Sequence, residues 1–251
     1  MSGAVPRVLV EACVDSVDSA VAAERGGAGR VELCDSLCDA GTTPSAGMLA
    51  AVKSQVRVPV FAIVRPRGGG FVYSATEMDV MRRDVDVLRR LGADGFVVGA
   101  LRPDARVDPA ATRALVAAAA GRPVTFHRAF DLVRDRDEAL ETLVQCGVER
   151  VLTSGGARSA IDSAPSIALV ARAGRRLTVM AGGGIRETTV REVVRRSGVR
   201  EIHVRGTRLR RTEMAFANPR VALRKPLPDD EGAWEETDET RVRAFVALAN
   251  A

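Results

Sequence analysis

Short apolar runs rich in Val, Ile, Leu and Phe alternate along this chain with longer segments whose apolar residues recur every three or four positions among Arg, Asp and Glu. The short runs read as buried strands and the longer segments as amphipathic helices; together they form a unit that recurs about every thirty residues. Strands are predicted at Val8–Ala12, Arg30–Leu33, Val58–Val64, Gly95–Val98, Val124–Phe126, Arg150–Thr153, Leu177–Met180 and Arg200–Val204. Helices are expected to start near Val17, Ser45, Thr76, Pro109, Asp137, Ser159, Glu187 and Glu236. Ser74-x-x-Glu77 has the form of a capping box. Gly26, Gly92, Gly147 and Gly198 stand where a helix stop needs a left-handed residue.

Eight such units joined by right-handed crossovers predict an α/β fold, the TIM (β/α)8 barrel. An open doubly wound sheet is the competing architecture, but it calls for a dominant nucleotide loop after the first strand, where this chain reads EACVDS. No Pro- or Ser-rich linker interrupts the repeats, so residues 1–251 are expected to form a single domain with one long irregular stretch at about 205–235. A hydrophobic content of 46% against 27% charged residues excludes a disordered or fibrous chain. The net charge of +5 is spread among acidic residues and argues against nucleic-acid binding. Uncharged apolar stretches are too short to span a membrane, and Glu11 interrupts the first apolar run before it can serve as a secretory core. Four cysteines in a chain of this length do not make a secreted disulfide scaffold, so the expected location is the cytoplasm.

In a barrel of this kind chemistry gathers at the C-terminal ends of the strands. The polar residues there are Glu11, Glu32, Arg65, Arg67, His127, Arg128, Asp131, Thr153, Ser154, Arg186, His203 and Arg205. Glu11 and Glu32 interrupt apolar strands, which leaves two readings: a buried pair with Arg65 that closes the barrel top, or an acid/base or cation-binding pair in the mouth. His127 and His203 are the only histidines, both at strand ends, and with Asp131 they complete the candidates for proton transfer. Arg65 and Arg67 precede three glycines and could clamp an anion, with Arg128 beside them. Gly182, Gly183 and Gly184 lie at the usual phosphate loop of a barrel, facing Gly206-Thr207. Cys13, Cys34 and Cys38 are either small packed thiols or a soft site for Cu(I). Two chemistries lose ground: Lys53 and Lys225 are the only lysines and neither falls at a strand end, and no G-x-S-x-G elbow occurs.

These same strand ends carry a resemblance to the CutC family. The segments VEACVDS, VELCDSLCDAGTTPS, RPRGGGFVYSATEMDVMRRDV, VTFHRAFD, RVLTSGG, VMAGGGIR and EIHVRGT follow the family's pattern in order through Thr207. The resemblance implies a barrel that binds or handles copper in the cytoplasm, with a polar mouth at Glu11, Glu32, Arg65, His127, Arg128, Asp131 and His203. It also implies Cys13 and Cys34 as Cu(I) ligands. The chain departs from the pattern after His203, where a Ser-Ser or Ser-Gly continuation is replaced by Val204-Arg205.

Two functions follow as expectations: a Cu(I)-binding copper homeostasis protein, and an enzyme or binding protein for a small anionic or phosphorylated metabolite. A homo-oligomer is expected in either case, with Phe216 and Trp234 lining an interface or covering the mouth.

Overall fold

A computed structural model describes residues 7–173, 176–216, 218, 220–221 and 232–251. Eight parallel strands close into one barrel in sequence order: β1 Leu9–Val14, β2 Arg30–Leu33, β3 Val60–Ile63, β4 Gly95–Val98, β5 Val124–Phe126, β6 Arg150–Thr153, β7 Thr178–Gly182 and β8 Glu201–Val204, with β8 pairing back onto β1. The surrounding helices are α1 Val17–Arg25, α2 Ala46–Gln55, α3 Ala75–Arg90, α4 Pro109–Ala119, α5 Arg136–Gln145, α6 Ala164–Ala173, α7 Val190–Ser197 and α8 Glu239–Ala249. This is the TIM (β/α)8 barrel. Among the described residues no helix is long and apolar enough to cross a membrane.

Period-two alternation divides each strand between two environments. Val10, Ala12 and Val14 of β1, Val31 and Leu33 of β2, and Ile202 and Val204 of β8 belong to the continuous apolar layer beneath the helices. Each large aliphatic side chain buried there stabilises the fold by about 1.5–3 kcal/mol. The alternate residues turn inward, and several are charged. Arg30 joins Glu11 and Glu201, the latter at 2.6 Å, and Arg150 reaches the same Glu201 oxygen at 2.6 Å. Both guanidiniums lie over the Phe61 ring, at 4.9 and 5.6 Å from its centroid. On β4 the residue beside this ring is Gly95, because a Cβ there would stand 2.5 Å from the Phe61 ring.

The local signals hold at several ends. Ser74 and Glu77 form the reciprocal capping box of α3. Gly92, Gly147 and Gly198 have positive φ, but Gly26 does not: its φ is −71°, and the left-handed residue is Gly27. Gly26 is required instead for close packing, since a Cβ there would meet Val242 Cβ at 2.6 Å.

Three helix starts differ from expectation. A 3-10 turn, Ala160–Ser163, precedes α6, so the regular helix begins after Ser159. The chain makes a turn bonded through Thr189 Oγ1 before α7, which therefore begins at Val190 and not near Glu187. Glu236 lies in a strand: Thr207–Arg211 (β9) and Ala233–Thr237 (β10) form an antiparallel ribbon, and α8 starts three residues later. The stretch at 205–235 is thus partly regular, because β-branched and long side chains there pair across strands in place of forming a loop. Lys225 and the rest of 222–231 lie outside the described residues.

Candidate functional site

A cavity of about 510 Å³ occupies the C-terminal mouth, lined among others by Cys13, Glu32, Arg65, Phe71, His127, Arg128, Gly183, Gly184, Ile185, Arg186, His203 and Arg205. Its floor on the β1–β2–β8 side gathers donors of different hardness. Cys13 Sγ and Cys34 Sγ are 3.7 Å apart, Cys34 Sγ lies 3.5 Å from Glu32 Oε2, and His203 Nε2 lies 3.7 Å from that same oxygen. The ligating atoms of Cys13, Glu32 and His203 all fall within 4.8 Å of one another. Register explains the cluster: Cys13 pairs with Glu32 across β1 and β2, while Glu11 pairs with both Arg30 and His203 one inward position lower.

Glu11 and Glu32 therefore occupy different levels. Glu32 lines the cavity, whereas Glu11 is sealed beneath it, with no exposed surface. Glu11 accepts from His203 Nδ1 at 2.8 Å and pairs with Arg30, not with Arg65 as in one of the two readings of the sequence. Burial alone raises the Glu11 carboxyl, but the Arg30 charge and the His203 hydrogen bond outweigh it and hold it at about 2. Glu32 has no comparable cation; burial dominates and pushes it up to about 8, despite the attraction of His203. Burial disfavours an imidazolium at His203, yet the surrounding Glu32, Cys13 and Glu11 carry its pKa above the ordinary value. The hydrogen bond from Cys34 lowers the Cys13 thiol against the effect of burial and raises the Cys34 thiol. With Nδ1 held on a carboxylate, His203 presents Nε2 to the sulfur side, the arrangement in which a second carboxylate orients a metal-binding imidazole.

On the β5 side, His127 is buried with its ring 4.8 Å from that of Phe71, and Nδ1 accepts from Ala129 N at 3.1 Å. Desolvation, then the Arg65 charge, lower its pKa to about 3, so the ring is neutral. Arg65 itself is buried, and it donates to the carbonyls of Asp39, Gly41 and Gly69 at 2.5, 2.8 and 2.9 Å, tying two loops together. Arg67 does not line the cavity. It donates to Glu77 at 2.5 Å and to the carbonyls of Gly70 and Val72, which clips the glycine-rich loop to the start of α3.

Asp131 is likewise a scaffold. Its two oxygens accept from Arg128 Nε, Thr153 Oγ1, the Ser154 N–H and hydroxyl, and the Gly156 N–H, at 2.5–3.1 Å. A carboxylate so fully bonded has no free lone pair with which to take a substrate proton. Its effect is to place Arg128, which also donates to Ser154 Oγ at 3.0 Å, along the cavity edge.

The β7 loop closes the third side. Gly183 and Gly184 have φ of 97° and 63°, and a Cβ on Gly183 would stand 3.0 Å from the Arg128 guanidinium carbon. Among the described residues, the N–H groups of Gly184 and Ile185 meet no acceptor, while Gly183 follows directly on the β7 residue paired with His203. Gly182 remains in β7, packed under Leu152 and His203, and does not face the cavity. Arg186 is exposed at the rim and Arg205 pairs with Glu235 at 2.7 Å. Cys38 is exposed beside Ser36 Oγ, apart from the buried pair, and Cys146 packs at the end of α5.

Sequence reasoning missed Arg30, Glu201 and Gly99. The first had a readable signal, since Arg30 and Glu32 share one face of a four-residue strand. Gly99 had none: its role, leaving room for the His127 ring 2.2 Å from where a Cβ would sit, exists only in three dimensions.

The CutC family profile matches residues 8–207. The copper homeostasis protein cutC homolog of Mus musculus is 47% identical over 249 residues, covering 99% of this chain and 92% of that protein. A CutC family protein of Chromobacterium violaceum is 45% identical over 238 residues, covering 94% and 96% of the two chains. The crystal structure of the CutC protein of Streptococcus agalactiae superposes with a TM-score of 0.75 at 30% identity, covering 78% of this chain and 97% of that one. With the barrel and the strand-end cluster in place, these matches assign the chain to the CutC family.

Proposed function

We propose that the protein is a cytoplasmic copper homeostasis protein that binds Cu(I) between Cys13 and Cys34, with His203 Nε2 as a third donor. The observation that carries this reading is the 3.7 Å separation of the two buried sulfurs, of which that of Cys13 belongs to a residue lining the cavity. Two thiolates each about 2.3 Å from a shared ion stand at most about 4.6 Å apart, so the pair can close on one ion without moving the strands. Sulfur and imidazole are the donors a soft monovalent ion selects. Glu11 then holds His203 in the tautomer that leaves Nε2 free for the metal. Titration of the reduced protein with Cu(I) against a competing chelator is expected to give one equivalent bound, lost in the Cys13→Ala/Cys34→Ala variant and kept in Cys38→Ala. Absence of stoichiometric binding, or binding unchanged in the double variant, overturns the reading.

A second reading is supported by the opposite wall. The unbonded N–H groups of Gly184 and Ile185 lie between Arg128 and Arg186, and the cavity is far larger than a single ion requires. These features suit a small anionic metabolite, held as a ligand or turned over in the same mouth. Phe216 and Trp234, exposed on and beside the β9–β10 ribbon, are proposed to meet a second copy of the chain.

A further inference from the structure

His127, a polar residue of the cavity, has no task in the copper reading. Its ring is held in place: Phe71 lies tilted at 49° with its centroid 4.8 Å away, Phe126 lies at 6.0 Å, Gly99 leaves the space beneath it, and Nδ1 accepts from Ala129 N. Since Nδ1 is an acceptor, the proton of the neutral ring is on Nε2. That Nε2–H is buried, only 5% of the residue being exposed, and it has no hydrogen-bond partner. An orphaned donor in a packed wall costs free energy that a phenylalanine at the same place would not, and such groups are rare unless something outside the chain satisfies them. Barrel order puts β5 across from β1, so His127 faces the sulfur cluster over the width of the mouth, with the β7 loop between them.

We propose that His127 is the specificity-determining donor for a small organic acid: its Nε2–H takes a carboxylate oxygen of the ligand, whose phosphate lies on the N–H groups of Gly184 and Ile185 between Arg128 and Arg186. The inference rests on the anionic-metabolite reading above and names the ligand class within it. Arg65, close enough to depress the His127 pKa, adds positive charge to the carboxylate end. Lacking a free basic nitrogen, His127 recognises an oxygen and does not abstract a proton.

The test uses the full, metal-free, reduced protein in calorimetry with 3-phosphoglycerate, which carries both groups, and glycerol 3-phosphate, which lacks the carboxylate. His127→Asn keeps an acceptor for Ala129 N and removes the Nε2 donor. Expected are binding of 3-phosphoglycerate that weakens tenfold or more in H127N, and weaker binding of glycerol 3-phosphate that is equal in the two proteins. Nitrogen-15 spectra of the wild type give a readout independent of the variant's folding, with Nε2 of His127 shifting on addition of 3-phosphoglycerate only. If both probes bind wild type and H127N alike, or Nε2 does not shift, the role of His127 falls while the anion site stands. If neither probe binds, both readings fall, and the Cu(I) titration is unaffected.

Discussion

Replacing Glu11 with Gln removes the one anion shared by Arg30 and His203 at the centre of the barrel. The amide can accept from one of these donors but turns its own N–H₂ toward the other. Two independent routes set the magnitude. A carboxyl held at about 2 against an ordinary 4.5 corresponds to about 3 kcal/mol, at about 1.4 kcal/mol for each tenfold change in proton affinity. Breaking a buried ion pair by removing one partner costs about 3–5 kcal/mol. Arg30 keeps Glu201, which places the loss at the lower end of that range. Urea unfolding of E11Q is thus expected to give a stability about 3 kcal/mol below wild type at pH 5.5. Because the folded pKa of Glu11 is depressed, its contribution is present above 4.5 and is lost as pH falls through about 2. The difference between the two proteins should narrow to about 2 kcal/mol at pH 3.5, a window in which His203 is protonated both folded and unfolded. A difference below about 1 kcal/mol at pH 5.5, or one identical at the two pH values, refutes the claim that this ion pair anchors the site.

Three further outcomes follow from the same geometry. His127 should show no titration by NMR between pH 7 and 4.5, because its folded pKa is held at about 3; this depressed value makes folding lose stability as pH falls from the ordinary 6.5, and a midpoint near 6.5 contradicts the burial argument. Asp131→Asn should lower stability by about 1–3 kcal/mol, leaving backbone and Arg128 donors around one missing oxygen, and should broaden the Arg128 Nε resonance; an unchanged resonance excludes a positioning role. Gly99→Ala should displace the His127 ring, at a cost of about 1–3 kcal/mol seen in thermal melts, with the aromatic-shifted His127 proton signals moving; unmoved signals contradict the close approach at 2.2 Å.

How far the site was legible follows from the reach of each signal. Hydrophobic periodicity located all eight barrel strands and, because parallel strands need crossovers, their order. It failed between β8 and α8, where Arg208, Arg210, Glu235 and Glu236 make a ribbon too polar to read as strands. Cys13, Glu32, His127 and His203 stand out in sequence because a polar group at the end of an apolar run needs a reason, and all four line one cavity. Arg67 and Asp131 carry the same kind of signal but have other partners.

Local pattern and a family resemblance thus determined that this chain is a CutC-family barrel and that its strand ends are polar, since strand period, crossover handedness and motif order are all properties of contiguous residues. Tertiary structure decided which of those polar residues meet. Glu11 and Glu32 read alike in the chain, yet a register shift of one inward position puts Arg30 and His203 beside the first and the cysteines beside the second, fixing one carboxyl low and the other high. Two sulfurs twenty-one residues apart come within 3.7 Å, and a histidine donor is left without a partner, because closure of the barrel sets distances between strands that no single segment encodes.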